Sequence, residues 1–349
     1  MAKTHSEEVS VTIAIPNYNT STYIGEAIQS AISQTFSNIE ILIVDNASTD
    51  NSRDIIKFWA KKDSRIVVHC YDEFVKSMDN WNRCLALAHG KYIVFLHADD
   101  RLKPRFVEAA LELYDRWPNL GYVLAENEMI DGGGNLLYRQ QFYEGSAVIP
   151  GLAEARVNLL GWHIVPVQML IRTECMKAIG GYHFSDVMAP LLLNLKWDVG
   201  YLHSPLVQYR LHDQSSTTQC IKDKSLIMAI YLTKMLVLNH WLPPEALYLK
   251  ELIGPVMEKT GTTCLSLYAM NVLGRNEKRL CQEYMALARG FWLEVDQTPL
   301  YRFLEDALKE KEWTPETLQE AWARVRPPSA LSGPPYPLPE GSVVIPISV

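Results

Sequence analysis

Residues 91–100 read KYIVFLHADD. The segment Lys91–Leu96 is short, apolar, β-branched and aromatic, the pattern of a strand buried on both faces, and it stops at His97-Ala98-Asp99-Asp100. Two adjacent carboxylates at the end of a rigid strand repel each other. They stay ionised most easily when a cation or the positive end of a helix lies against them. A divalent metal carrying a diphosphate is the natural partner.

Working outward, the same alternation repeats on the N-terminal side. Val11–Ile15 is an apolar run ended by Pro16, with Asn17-Tyr18-Asn19 as turn, because proline fixes φ and removes a donor. From Ser21 to Gln34 apolar residues recur at helical spacing, with Thr20 or Ser21 placed to cap. Ile39–Val44 reads as a second strand, ending at Asp45-Asn46-Ala47-Ser48-Thr49-Asp50 ahead of a helix over 52–60. Ile66–Cys70 is a third short strand, and Met78–Ala88 a helix that Gly90 closes. A β-α-β-α rhythm implies a parallel sheet. Ligands of such sheets bind beyond the carboxyl ends of the strands, which is where Pro16–Asn19, Asp45 and His97–Asp100 all fall.

Composition narrows the classes. The chain has 349 residues, 48% hydrophobic and 21% charged, and a formal charge of −7, which fits a soluble globular protein and argues against a nucleic-acid binder. Its six cysteines, at 70, 84, 175, 220, 264 and 281, form no C-x-x-C pair, so a zinc ribbon or thioredoxin-type site has no support and a reducing cytoplasm is expected. MAKTHSEEVSV lacks the apolar stretch of a secretory signal, and the longest apolar run, 226–238, contains Thr233 and Lys234, short of a membrane span.

These residues resemble the inverting family-2 glycosyltransferases of the GT-A fold, which use nucleotide-sugar donors. The resemblance covers about residues 9–215, through VTIAIPNYN, QTFSNIEILIVDNASTD, NWNRCLALAHGKYIVFLHADD and DVGYLHSPLVQYRLH. It implies an α/β fold: a GT-A, Rossmann-like nucleotide-sugar-binding domain with a mostly parallel central sheet, followed by a C-terminal helical region. It also implies that Pro16 and Tyr18 flank the nucleotide base, that Asn17 belongs to the nucleotide-sugar site and that Asp45 accepts from base or ribose; uracil and thymine offer an N3–H donor to such a carboxylate. UDP- or TDP-sugars are thus the favoured donors. Lys76 falls where some relatives carry a basic residue for nucleotide or phosphate.

The family's D-x-D motif maps onto His97-Ala98-Asp99, so histidine replaces the usual first acid. Its imidazole is able to donate to ribose or to ligate Mn²⁺, but brings no fixed negative charge. Asp99, then Asp100, are the expected ligands of Mg²⁺ or Mn²⁺, with His212 of the Tyr209-Arg210-Leu211-His212 ending as a third candidate. Arg210 is expected to offset phosphate charge or to tie down its loop. Asp186, after the Gly180-Gly181 pair, is the candidate general base; Met188 stands where a second acid often follows, and Asp198 is the reserve. The plain alternatives are that Asp99 and Asp100 cap a helix near Pro104, that Asp186 is a helix N-cap, and that His212 is a surface histidine. Asp131-Gly132-Gly133-Gly134-Asn135 lacks the features of a P-loop and reads as a hairpin turn. Trp162-His163 and Gln168 are expected to face the acceptor.

Beyond His212 the resemblance fades and helical periodicity takes over, at about 222–242, 244–256, 262–273, 277–294 and 300–311, with a last helix capped by Thr314. The expected division is a catalytic domain over 1–215 (donor half about 9–103, acceptor half about 104–215), a helical region over 216–326 and a proline-rich tail over 327–349. The expected activity is metal-assisted, inverting transfer of a sugar from a nucleotide donor to an acceptor hydroxyl, in the biosynthesis of a polysaccharide or glycoconjugate. The acceptor class spans sugars, lipid-linked molecules and small molecules. No nucleic-acid partner and no transmembrane segment are expected; peripheral contact at the inner face of the membrane and a homo-oligomer stay open. Two other readings remain: a nucleotide-sugar-binding subunit that has lost catalysis, suggested by His97 and Met188, and a nucleotidyltransferase, which would want a Gly-rich basic loop where Pro16–Asn19 stands.

Overall fold

The first strand, β1 (Val11–Asn17), is buried almost throughout. Its Val, Ile and Ala residues have no polar group to leave unpaired, so they pack in the middle of a sheet, between β2 (Ile39–Asn46) and β4 (Tyr92–Phe95), parallel to both. The computed structural model describes residues 10–161, 165–309, 313, 317, 320, 323 and 336–346. Helix α1 (Ile24–Ile32) follows β1, α2 (Ser52–Ala60) follows β2, β3 (Ile66–Tyr71) pairs with β2, and α3 (Ser77–Leu87) leads into β4. β1 runs two residues past the expected end, with Pro16 opposite Val44 at its rim. α1 begins later than the spacing suggests, because Thr20 and Ser21 are otherwise engaged: the Thr20 hydroxyl donates to Asn17 and Ser21 N–H donates to Asp50.

The chain continues through β5 (Arg101–Leu102), α4 (Phe106–Arg116), β6 (Leu120–Ile130), β7 (Leu136–Gln140) and β8 (Ala147–Ile149), then α5 (Gly151–Leu160), β9 (Met169–Arg172), α6 (Thr173–Ala178), α7 (Met188–Asn194) and β10 (Asp198–Arg210). One sheet has the order β11-β8-β10-β6-β9-β4-β1-β2-β3, where β11 is Val343–Val344. β3, β2, β1 and β4 are mutually parallel; β9 runs against β4 and β6, so β6 and its parallel partner β10 point the same way as β4. The sheet is therefore mostly parallel. The two segments expected at 198–202 and 206–211 form one strand with irregular register near Pro205, and 131–135 is the turn of the antiparallel β6–β7 hairpin.

Gly90 does not cap α3 through a left-handed conformation. It lies where backbones approach: a Cβ there would stand 2.4 Å from the Thr12 nitrogen, so only glycine fits. Gly90 N–H donates to the Thr12 hydroxyl, which donates to Glu40.

By packing, the chain divides into two units. The first comprises residues up to 155, 163–212 and those from 337 on; its core holds Ile13, Ile41, Val94, Leu96, Phe106 and Val123, with Ile345 of the last segment among them. The second, 156–162 and 213–336, contains α8 (Ser216–Lys222), α9 (Ser225–Leu236), α10 (Ile253–Thr263), α11 (Met270–Gly274), α12 (Lys278–Phe291) and α13 (Pro299–Ala307), with π-type turns after α9 and α10 and a 3-10 segment over Pro244–Leu252. Its core holds Leu265, Cys281, Phe291 and Leu304, with Tyr268 stacked on Tyr284. Among the described residues no helix is long and apolar enough to cross a membrane. Trp162, His163, the Thr314 cap and residues 327–335 of the proline-rich stretch lie outside the described residues.

Candidate active site

The carboxyl ends of β1, β2 and β4 meet as the parallel topology requires. At the first two, Asp45 is fully buried and its carboxylate accepts from Asn17 Nδ2 at 2.7 Å, Arg53 Nε at 2.6 Å and Ser48 N–H at 3.1 Å. Both of its oxygens are thereby engaged within the protein. Asn19 Oδ1 accepts from Thr49 N–H at 2.8 Å and latches the first turn to the second. Pro16 is partly buried at this rim. Tyr18 is 46% exposed and its ring lies 4.7 Å from that of Phe74, which is 55% exposed. Asn46 fixes the Phe74 loop by taking both main-chain groups of Val75, at 2.8 and 3.0 Å. Lys76 stands exposed just ahead of α3.

At the end of β4, His97 is largely enclosed against Trp81, ring centroids 5.1 Å apart. Its Nδ1 lies 3.0 Å from Asp100 Oδ2, while Nε2 is buried with no hydrogen-bond partner. Burial opposes the imidazolium, but the Asp100 hydrogen bond and charge, with Asp99 and Asp186 adding to it, outweigh that cost and raise the His97 pKa. Asp100 is 1% exposed. Burial pushes its pKa up to about 6, against the pull of His97 and of Arg210 N–H, which donates to Oδ1 at 2.8 Å. Ala98 is buried between them. Asp99 is more open, and its Oδ2 lies 3.1 Å from His212 Nε2. Ligand atoms of His97, Asp99 and Asp100 all fall within 4.8 Å of one another.

Arg210 is the largest fully buried side chain. Its Nε donates to the Asp99 carbonyl at 2.7 Å, Nη1 to the Gly132 carbonyl at 3.1 Å and Nη2 to Glu26 at 2.7 Å, and it lies over the Tyr23 ring. Of its two expected uses, tying down the loop is the one this geometry serves. Asp186 is partly buried just ahead of α7, within electrostatic reach of His97, and its Oδ1 accepts from Val187 N–H. Asp198, the reserve, accepts from Gly151 N–H at 3.0 Å. Gln168 does not face an acceptor: it is 1% exposed and bonds to Ala125 O and Val165 N–H. The sequence reading passed over Arg53, Phe74, Asn82 and Glu26; only an exposed aromatic or a charge opposite an expected carboxylate would have singled them out.

Residues 12–180 match the profile of glycosyl transferase family 2. Over that span, 169 of the 349 residues, the chain is similar to that family. Among curated relatives, the putative teichuronic acid biosynthesis glycosyltransferase TuaG of Bacillus subtilis is 36% identical over 102 residues, 29% of this chain and 40% of that protein. The chain spans 33% to 62% of the length of the first curated relatives it matches. In fold it is similar to S. aureus TarS 1–349 in complex with UDP-GlcNAc, with a TM-score of 0.60 at 17% identity over 87% of this chain and 93% of that one. It is likewise similar to the mannosyltransferase PcManGT of Pyrobaculum calidifontis in complex with GDP-Man and Mn²⁺, TM-score 0.55 at 13% identity, covering 90% and 86%. These likenesses agree on the GT-A fold.

Proposed function

We propose that this chain transfers a sugar from a nucleoside-diphosphate donor, with a UDP- or TDP-sugar favoured, to an acceptor hydroxyl with inversion. The observation that carries the reading is the cluster of His97, Asp99, Asp100 and His212 at the carboxyl end of β4, with Asp186 within electrostatic reach of His97, in a sheet whose neighbouring strand ends hold Asp45 and Tyr18. Tyr18 and Phe74 offer exposed rings to a base.

A divalent ion fits the donor set. Asp99 Oδ2 and His212 Nε2 are 3.1 Å apart, close to the ~3.0 Å between neighbouring ligands on an octahedral ion with bonds of about 2.1 Å. Asp99 and His212 would hold it; Asp100, with both oxygens engaged by His97 and Arg210, is the poorer ligand. A mixed carboxylate and imidazole set is softer than the all-oxygen surroundings Mg²⁺ prefers, which favours Mn²⁺. When bound, such an ion neutralises charge on the diphosphate.

In the reaction the acceptor oxygen bonds to the anomeric carbon as the bond from that carbon to the diphosphate oxygen breaks, its electron pair leaving with the nucleoside diphosphate. Asp186 takes the hydroxyl proton as the new bond forms. Arg210 keeps the Asp99 backbone in place, and the Trp81 and Tyr209 rings beside His97 limit water around it. Thermal shift with UDP, TDP, GDP, CMP and ADP, each with and without Mn²⁺, tests the donor half: one diphosphate should raise the melting temperature in a metal-dependent way. Asp186→Asn should then lower kcat by about 10²–10⁴-fold with nucleotide affinity unchanged; retained turnover removes Asp186 as base. Met188, buried at the start of α7, favours the second reading, a binding-only subunit, which would shift with nucleotide yet never turn over donor.

A further inference from the structure

Asn82, on α3, spends its whole carboxamide on one residue of the acceptor half. Nδ2 donates to the Tyr182 carbonyl at 2.7 Å, and Oδ1 accepts from Tyr182 N–H at 2.8 Å. Both main-chain groups of a residue 100 positions away are thereby taken, as a neighbouring strand would take them. The approach depends on Gly181, where φ is +78° and an added Cβ would stand 2.5 Å from Asn82 Oδ1. So fixed, Tyr182 sets its ring edge-on against Trp81 at 4.8 Å and Phe95 at 4.9 Å, and Trp81 lies against His97. Asp186 follows four residues later, within electrostatic reach of both Tyr182 and His97. Only that short stretch separates the clamp from the carboxylate, and α7, which begins at Met188, holds its other end.

We propose that Asn82 is a positioning residue for Asp186: it locks the Gly181–Tyr182 turn onto α3 and so fixes where the base stands relative to the end of β4. This rests on the reading of Asp186 as general base. A displacement of about an ångström at a reacting group is enough to cost two orders of magnitude in rate, and a short turn held by two hydrogen bonds to one side chain is open to such a shift when they are lost. α3 also carries Asn80, which donates to the Val44 carbonyl, and Arg83, which donates to Asn46. A general loosening of α3 would therefore weaken nucleotide binding as well, whereas loss of positioning alone would spare it.

The test is Asn82→Ala, which removes both bonds, with Asn82→Asp, which keeps the acceptor for Tyr182 N–H but sets a carboxylate oxygen against the Tyr182 carbonyl, as a second variant. With a donor that the wild-type enzyme turns over, kcat at saturating donor and acceptor should fall at least tenfold in both variants. The Kd for UDP should stay within twofold, and amide exchange over 179–187 should quicken in both. A kcat within twofold of wild type overturns the proposal. So does a parallel loss of kcat and UDP affinity, which makes Asn82 a structural support of α3. A wild-type chain that turns over no donor overturns the transferase reading itself and this inference with it, an outcome distinct from an active wild type with an indifferent Asn82.

Discussion

Asp99 is the most exposed carboxylate of the D-D pair and the one whose oxygen faces His212. Asp99→Ala should therefore abolish the Mn²⁺-dependent part of the nucleotide-induced thermal shift while leaving a smaller metal-independent part from the base; an unchanged metal effect would move the ion to other residues. Phe74 stands half in solvent beside Tyr18, a costly place for a phenyl ring without a partner. Base stacking on an aromatic contributes about 1–3 kcal/mol, so Phe74→Ala should weaken UDP binding about tenfold and Phe74→Tyr should restore it, by calorimetric titration; equal affinity in all three would take the base elsewhere. His97 and Asp99 stand out in the sequence because they end a hydrophobic run, while the roles expected of Asp45 and Asp186 come from the family resemblance. Arg53, Asn82 and Glu26 do not stand out, because they act through contacts 8, 100 and 184 residues away in sequence, and no local pattern records such a contact.

At the scale of elements, strands were read more closely than helix starts. A buried strand is written in its own residues, as Ile39–Asn46 shows, every position of it enclosed. A helix start depends on which partner a hydroxyl finds, and Thr20 found Asn17 instead of the α1 N-terminus. Gly90 teaches the same: its role comes from β1 lying across it, which nothing near position 90 announces. Gly90→Ala drives a methyl against the Thr12 backbone and should cost about 3 kcal/mol in urea unfolding, more than Gly254→Ala, where an added Cβ meets nothing within 4 Å. Equal losses would mean that β1 and the turn before β4 have room to part.

For the whole molecule, the helical unit brings its own balance of forces. Lys234 on α9 is 4% exposed, and burial, with Lys259 nearby, lowers its pKa from 10.5 to about 8. Below pH 8 both folded and unfolded chains carry the proton and the penalty is constant, about 3 kcal/mol. Between pH 8 and 10.5 the unfolded chain holds the proton and the folded chain does not, so this residue's contribution to stability rises with pH. Lys234→Met should accordingly melt higher than wild type at pH 7, and the gap should narrow by pH 9.5; a gap independent of pH would mean that the ammonium is not the source. The run 226–238 is too short and too polar for a membrane span, and Thr233 and Lys234, which make it polar, lie inside α9 of this unit. The helices of 213–309 were placed only coarsely from sequence, since their π-type turns and 3-10 segment break the regular spacing on which that reading depends.

β11 gives the sheet a temporal dimension. Val343–Val344 pair with β8, and Ile345 N–H donates to the Ser146 carbonyl while its side chain is 3% exposed in the core of the first unit. The ribosome makes β8 and then, at about 5–20 residues per second, the entire helical unit before β11 emerges, a wait of roughly 10–40 seconds. Through that interval the edge of β8 is an unpaired strand, open to any other extended segment that reaches it. The nascent chain thus passes through a window in which a chaperone or a neighbouring chain competes for the place that β11 takes.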